Sequence, residues 1–363
     1  MKVTFPHMGH MWVSVKSLLE GFGLDVVVPP PCTKKTLSLG TRHAPECICL
    51  PLKINLGNYI EASEKGADTI VMAGGVGPCR FGYYSRLEKE ILDDLGYEMD
   101  MIILEPPERH LLEIIPLLRR LARCGFRQAA AAVNLAWMKC CIIDLLEQEV
   151  QKVRAVEKRP GESDAVLKEA VLALDAAQTR KAVARAKNEA FEALRMVSRE
   201  TASEALRIAI VGEIYTILEP FVNLDTERHL GRMGVQTCRS LYLSQWVNDH
   251  LLGGILPMPG CREACSLSAP YLNSFVGGHG RESVGCTVQY ARSGFDGVIQ
   301  LAPLTCGPEI VAEAVLPKVS IQEKIPVMTL YLDEQTGEAG HITRLEAFVD
   351  MIRNNKYYRK LEC

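Results

Sequence analysis

Gly66-Ala67-Asp68-Thr69-Ile70-Val71-Met72 and, far downstream, Gly294-Phe295-Asp296-Gly297-Val298-Ile299-Gln300 decide how this chain folds. Each joins a helix-ending glycine to an aspartate and a buried strand. Each strand then enters a Gly/Pro loop with one cysteine, Gly77-Pro78-Cys79 in the first case and Thr305-Cys306-Gly307-Pro308 in the second. The aspartate-to-cysteine separations are eleven and ten. A helical pattern, a glycine or proline break and a further apolar strand follow in both, at Met101–Leu104 and Pro326–Leu332. Upstream, Lys2–Phe5 opens the first series as Leu206–Val211 opens the second. An ordered series of matches of this kind is the mark of a duplicated unit.

Around these anchors, strand-like runs (Lys2–Phe5, Asp25–Val28, Thr69–Ala73, Met101–Leu104) alternate with amphipathic stretches such as Trp12–Gly21 and Phe81–Gly96. That alternation predicts parallel βαβ units. From Arg109 to Ser203 the spacing of apolar residues becomes helical, broken at Pro160-Gly161, with Ser163 expected to cap the next helix. The expected organisation is an α/β domain over 1–108, a helical segment over 109–205 and a second α/β domain over 206–363.

Hydrophobic residues make up 48% and charged residues 23% of the 363, which fits a folded globular chain rather than a disordered one. The net charge of −3 is spread along the chain and gives no basic footprint for nucleic acid. No uninterrupted apolar run reaches the roughly 18 residues of a bilayer span, so no membrane partner is expected. Met1-Lys2-Val3-Thr4-Phe5 reads as a strand rather than an export signal, and the expected compartment is the cytoplasm.

Thirteen cysteines in a chain expected among reduced thiols point to buried residues and metal ligands rather than disulfides. Parallel sheets collect functional residues at the carboxyl ends of their strands. Cys79 and Cys306 both fall there, at helix starts whose dipoles favour the thiolate form. If the two domains face each other across a crevice, these cysteines approach from opposite sides. Cys49, beside Pro51 at another expected helix start, is a third candidate. Cys47 is an alternative to it, and Cys32, after three prolines, is a fourth candidate. The one zinc-like pair, Cys261 with Cys265, lacks a second pair. Three isolated thiolates suit a 4Fe–4S cluster with one open iron, although spacing alone does not choose the metal.

Several stretches also match a known family. They are Phe5-Pro6-His7-Met8-Gly9, Cys49-Leu50-Pro51-Leu52-Lys53-Ile54-Asn55-Leu56-Gly57-Asn58 and Gly74-Gly75-Val76-Gly77-Pro78-Cys79-Arg80-Phe81-Gly82-Tyr83-Tyr84. In the second half they are Glu219-Pro220-Phe221-Val222-Asn223, Gly277-Gly278-His279-Gly280, Pro303-Leu304-Thr305-Cys306-Gly307-Pro308-Glu309 and Asp333-Glu334-Gln335-Thr336-Gly337-Glu338. Together they resemble the 2-hydroxyacyl-CoA dehydratase and benzoyl-CoA reductase superfamily, in particular its branch of acyl-CoA dehydratase activase-related proteins.

The resemblance implies two flavodoxin-like, Rossmann-type parallel-sheet domains and a cluster held at Cys49, Cys79 and Cys306. It implies a separate ATP-hydrolysing iron–sulfur activator as electron donor, in an anaerobic cell. It also implies reduction or dehydration of a small substrate, which in the relatives is an acyl-CoA. Some relatives carry a double-cubane 8Fe–9S cluster instead, and Cys32, Cys47, Cys261, Cys265 and Cys286 leave numerical room for one. No stretch is assignable to CoA, and no Gly-x-x-x-x-Gly-Lys-Ser/Thr run occurs, so this chain is not expected to be the ATPase. A homodimer would match a two-fold activator.

Three functions compete at this point: an iron–sulfur dehydratase or reductase, a non-catalytic electron carrier or cluster scaffold, and a zinc or metal-free protein binding a metabolite. Other residues have two readings each. Arg80 and Lys53 pair with an anion near the cluster or serve structure. His279 donates a proton or simply packs, in a glycine loop that lines a pocket or only turns. Glu338 approaches the cluster or caps a helix, and Thr343-Arg344 are expected to begin the last one.

Overall fold

A computed structural model describes residues 1–75, 77–105, 121–200, 205–256 and 261–361, with side chains through Asn355. It contains two four-stranded, all-parallel sheets flanked by helices. The first comprises β1 (Lys2–Thr4), β2 (Asp25–Val26), β3 (Thr69–Ala73) and β4 (Asp100–Leu104) in the order β2-β1-β3-β4. Its helices are α1 (Met11–Gly21), α2 (Lys34–His43), α3 (Leu50–Glu64) and α4 (Phe81–Asp94).

Three helices follow, α5 (Phe126–Arg154), α6 (Glu162–Ala176) and α7 (Arg180–Met196). The second sheet has β5 (Leu206–Gly212), β6 (Val235–Arg239), β7 (Gly297–Pro303) and β8 (Val327–Leu332), ordered β6-β5-β7-β8. Its helices include α8 (Ile214–Leu218), α9 (Thr226–Arg232), α10 (Cys261–Ser268), α11 (Gly280–Arg292), α12 (Gly307–Glu323) and α13 (Glu338–Leu361). Both sheets have the doubly wound, flavodoxin-like strand order.

The chain divides into two compact units, 1–144 with 171–187 and 242–260, and 145–170 with 188–241 and 261–363. The expected helical segment therefore contributes to both units. Its residues 109–120 and 201–204 lie outside those described.

The duplication is explicit in the hydrogen bonds. Gly66 and Gly294 end their helices at positive φ, +88° and +75°, a conformation that costs glycine nothing. The next residue's N–H returns to the helix in each case, Ala67 to the Ala62 carbonyl and Phe295 to the Tyr290 carbonyl. Asp68 then accepts the Lys2 backbone N–H at 2.8 Å and donates its own N–H to the Lys2 carbonyl at 3.0 Å. Asp296 does the same with Arg207, at 2.9 and 2.8 Å. One carboxylate thus fixes the register of the central strand pair in each unit.

Both faces of the first sheet are buried. Ile70 and Met72 pack with Leu52, Leu56, Tyr59 and Leu92 on one side, while Val71 packs with Val3, Phe5, Leu19 and Phe22 on the other. This period-two division is what a parallel strand covered by helices requires. In the second unit Val284, Val288, Ala312, Leu316 and Val319 join α11 to α12.

By length and composition α5 is apolar enough to cross a membrane. Several of its charged side chains are buried and engaged, however. Lys139 donates to the Asp175 carbonyl at 3.2 Å, and Asp144 accepts the Ser244 N–H at 2.7 Å. Glu147 pairs with Arg239 at 2.8 Å, and Arg154 with Asp164 at 2.6 Å. These contacts make α5 a packed helix of a globular fold.

Two expected helix starts are corrected. Ser163 does not cap α6. The Glu157 carboxylate accepts the Gly161 and Ser163 N–H groups at 2.6 and 2.8 Å, offering two acceptor oxygens where a serine has one. The last helix begins at Glu338, five residues before Thr343, whose hydroxyl bonds back to the Ala339 carbonyl at 2.9 Å.

Helix crossings are close at two glycines placed twelve residues before their strands. A Cβ on Gly57 would overlap the Thr36 carbonyl, and one on Gly285 the Ala264 carbonyl. Gly57→Ala and Gly285→Ala are each expected to destabilise by about 1–3 kcal/mol through overpacking. Gly340→Ala, which meets nothing within 4 Å, should be neutral or stabilising. Urea denaturation midpoints of the three variants check this.

Candidate functional site

In the order β2-β1-β3-β4 the chain leaves β1 toward one side of the sheet and β3 toward the other. The carboxyl ends of β1 and β3 therefore bound an open crevice, the position where such sheets bind ligands. In the first unit β1 leads into Phe5-Pro6-His7, and β3 leads into the segment that carries Cys79.

Cys49 is the N-cap of α3, with Pro51 in the first turn as its fixed φ favours. It is 7% exposed, and its Sγ lies 2.7 Å from the hydroxyl of Tyr84, itself buried. Tyr84 stands in the first turn of α4, shortly after Cys79, and meets Phe81 edge to face with centroids 5.4 Å apart. Arg80, the N-cap of α4, donates to the Cys47 carbonyl at 2.8 Å. Two bonds therefore tie the segment Cys47–Cys49 to the turn Cys79–Tyr84, and they bring Cys49 and Cys79 to one corner of the first unit. Cys79 is partly exposed there.

The structural roles of Arg80 and Lys53 are now defined. Arg80 holds the Cys47 loop. Lys53 is 2% exposed and donates to the Glu46 carbonyl at 3.1 Å, one turn after Cys49. Both donate to backbone carbonyls of the segment that precedes Cys49. Cys32 is buried with its Sγ 3.8 Å from His7 Nδ1 and 3.7 Å from Asn58 Oδ1. It belongs to the same edge through His7. Cys47 is exposed.

In the second unit Cys306 is the N-cap of α12, with Pro308 in the first turn, and is 6% exposed. One turn on, Glu309 is fully buried and accepts hydrogen bonds from the Ser283 hydroxyl at 3.0 Å and Gln300 Nε2 at 2.8 Å. Gln300 Oε1 in turn accepts from Thr329 at 2.8 Å. Burial pushes the Glu309 carboxyl up to about 7 despite these donors, and the nearby Glu213 carboxylate adds to the rise. Glu213 caps α8 at the end of β5, accepting the Tyr215 and Thr216 N–H groups at 3.0 Å, and burial raises it too.

His279 is the N-cap of α11 and is buried, with Nε2 4.0 Å from Glu282 Oε2. The first residue of that helix, Gly280, approaches the Pro308 carbonyl so closely that no Cβ fits. Glu338 is 69% exposed at the start of α13, with His229 at 4.0 Å.

Cys261 and Cys265 share α10, and Cys286 lies in α11 within an apolar cluster. No three sulfurs among Cys238, Cys261, Cys265 and Cys286 lie within 4.8 Å of one another, so they form no preassembled single-ion site. Burial pushes the Cys286 thiol far up, with Glu282 the next contributor, as expected of a core thiol.

Three groups escaped the sequence reading: Tyr84, His7 as the neighbour of Cys32, and Glu88. Glu88 sits one turn after Tyr84 on α4 and is completely buried. Burial raises it to about 8, opposed by the nearby Asn55 amide. The Gly/Pro loop at Cys79 marked where α4 begins, but nothing in the spacing marked which side chains of that helix meet Cys49.

No protein-family model matches the chain, and no curated protein does.

Glu88 makes stability pH-dependent. The folded protein keeps it protonated up to about pH 8, whereas in the unfolded chain it ionises above its ordinary 4.5. Its contribution is complete below pH 4.5 and is lost as pH rises toward 8, at about 1.4 kcal/mol per unit. Glu88→Gln should flatten the fall in unfolding free energy between about pH 5 and about 8, measured by urea titration at each pH.

Proposed function

We propose that this chain is an iron–sulfur protein with Cys49, Cys79 and Cys306 as thiolate ligands, receiving low-potential electrons from an ATP-hydrolysing activator to reduce or dehydrate a small substrate. The supporting observation is the equivalent placement of Cys79 and Cys306, each shortly after the third strand of its unit and at the start of the next helix. The resemblance to 2-hydroxyacyl-CoA dehydratases supplies the cofactor, the activator and a cytoplasmic, anaerobic setting. An acyl-CoA is one substrate of the right class.

The chemistry of the donors supports this reading. They are soft sulfur ligands at helix starts, two of them in buried positions, with Lys53 and Arg80 close to the first unit's pair. When bound, the cluster supplies single electrons at low potential, within a range set by charge, burial and hydrogen bonds to sulfur. Tyr84 would donate a hydrogen bond to Cys49 Sγ, hold its rotamer and withdraw charge from it. Glu309, raised to about 7 by burial, lies one turn from Cys306 and braces the helix start through Ser283 and Gln300. The edge-to-face contact with Phe81 fixes the Tyr84 ring in the orientation that reaches the sulfur.

Purified without oxygen, the protein should contain about four irons and about four sulfides per chain, against about eight irons for a double cubane. Cys79→Ala and Cys306→Ala should each lose iron and visible absorption. Unchanged colour and iron in both variants would remove the assignment. Tyr84→Phe should retain iron and shift the reduction potential negative, because a hydrogen bond to sulfur is lost, and an unmoved potential would exclude Tyr84 from tuning. With activator, ATP and reductant, substrate consumption separates an enzyme from an electron relay.

A further inference from the structure

The duplicated fold carries a correspondence that cysteine positions alone conceal. Helix α3 of the first unit and helix α11 of the second are equivalents. Each precedes the third strand of its sheet, and each crosses the helix before it at a glycine, Gly57 or Gly285, pressed on a carbonyl oxygen. The N-cap of α3 is Cys49, eight residues before its glycine, and the N-cap of α11 is His279, six residues before its own. The following helices, α4 and α12, begin just after Cys79 and at Cys306. Where the first unit has two cysteines at its paired helix starts, the second has a histidine and a cysteine.

The surroundings of His279 suit a ligand. It is buried at the same strand-end edge as Cys306, since the Gly280 that follows it abuts the Pro308 carbonyl two residues beyond Cys306. Ser283 of α11 bonds Glu309 of α12, which locks the two helix starts together. Glu282 lies one turn along with its carboxylate 4.0 Å from the imidazole Nε2, which places negative charge near the ring without a hydrogen bond to it.

Resting on the iron–sulfur reading above, we propose that His279 is a nitrogen ligand to iron at the second unit's edge, beside Cys306. The imidazole would donate a lone pair to iron as a neutral ligand, with no redox change and no proton transfer. Replacing a thiolate by a neutral imidazole removes negative charge from a cluster and raises its potential.

The test uses the full chain, purified and reconstituted without oxygen and reduced to its paramagnetic state. Pulsed electron paramagnetic resonance of the wild type should show strong nitrogen hyperfine coupling from a directly bound imidazole. His279→Ala should lose that coupling. His279→Cys should keep the iron, lose the coupling and move the potential negative. An iron-loaded wild type without such coupling, or an unchanged coupling in His279→Ala, overturns the assignment of His279 while leaving the thiolate ligands intact. A wild type that takes up no iron overturns the iron–sulfur reading itself. The wild-type spectrum decides the matter even if the alanine variant does not fold.

Discussion

A carboxylate bonded to a backbone N–H at the start of a strand underlies everything described above. Asp68 bridges β3 to β1 through Lys2, and Asp296 bridges β7 to β5 through Arg207. Side chains alternate along a strand, so a slip of one residue in either pairing would turn its apolar side chains to the wrong face. It would also move the strand ends on which Cys79 and Cys306 depend. The aspartate works from the amino end of the strands, opposite the end where the chemistry is proposed. Register is thus secured without placing a competing charge among the sulfurs.

The helix crossings supply the second constraint. Gly57 and Gly285 let backbone approach backbone, so α3 and α11 have defined positions along their axes rather than a range of them. Their N-caps inherit that definition. In the first unit the bond between Tyr84 and Cys49 and the bond from Arg80 to the Cys47 carbonyl extend it to the loop before the helix. In the second, Gly280 against Pro308 and Ser283 against Glu309 do so through different atoms.

Much of this was legible in the sequence, for identifiable reasons. Strands β3 and β7 announced themselves because the helix-ending glycine, the aspartate and the apolar run are local signals, and they occur twice. The start of α3 was legible because proline two residues after Cys49 has few other uses. Contacts between distant segments left no such trace. Tyr84 reads as one more core residue of an amphipathic helix, and only folding sets it against Cys49. Glu88 shares that helix face, and its charge suggested solvent rather than complete burial. The capping of α6 went to Glu157 instead of Ser163 because a turn at Gly161, with φ of +95°, folds the preceding carboxylate back over the helix start. That Cys49 and His279 both cap the helix before a third strand needed the helices themselves, since the crossing glycine lies eight residues after Cys49 but six after His279.

The fixed helix crossings also separate two kinds of evolutionary freedom. Residues at Gly57 and Gly285 have almost no latitude, because any side chain meets main chain. The residue capping the same helix, about two turns away, is buried as well, but it differs between the units together with its neighbours, Tyr84 beside Cys49 and Glu282 near His279. A scaffold built this way offers interchangeable sockets on an invariant frame, and gene duplication gives each socket a second copy free to diverge.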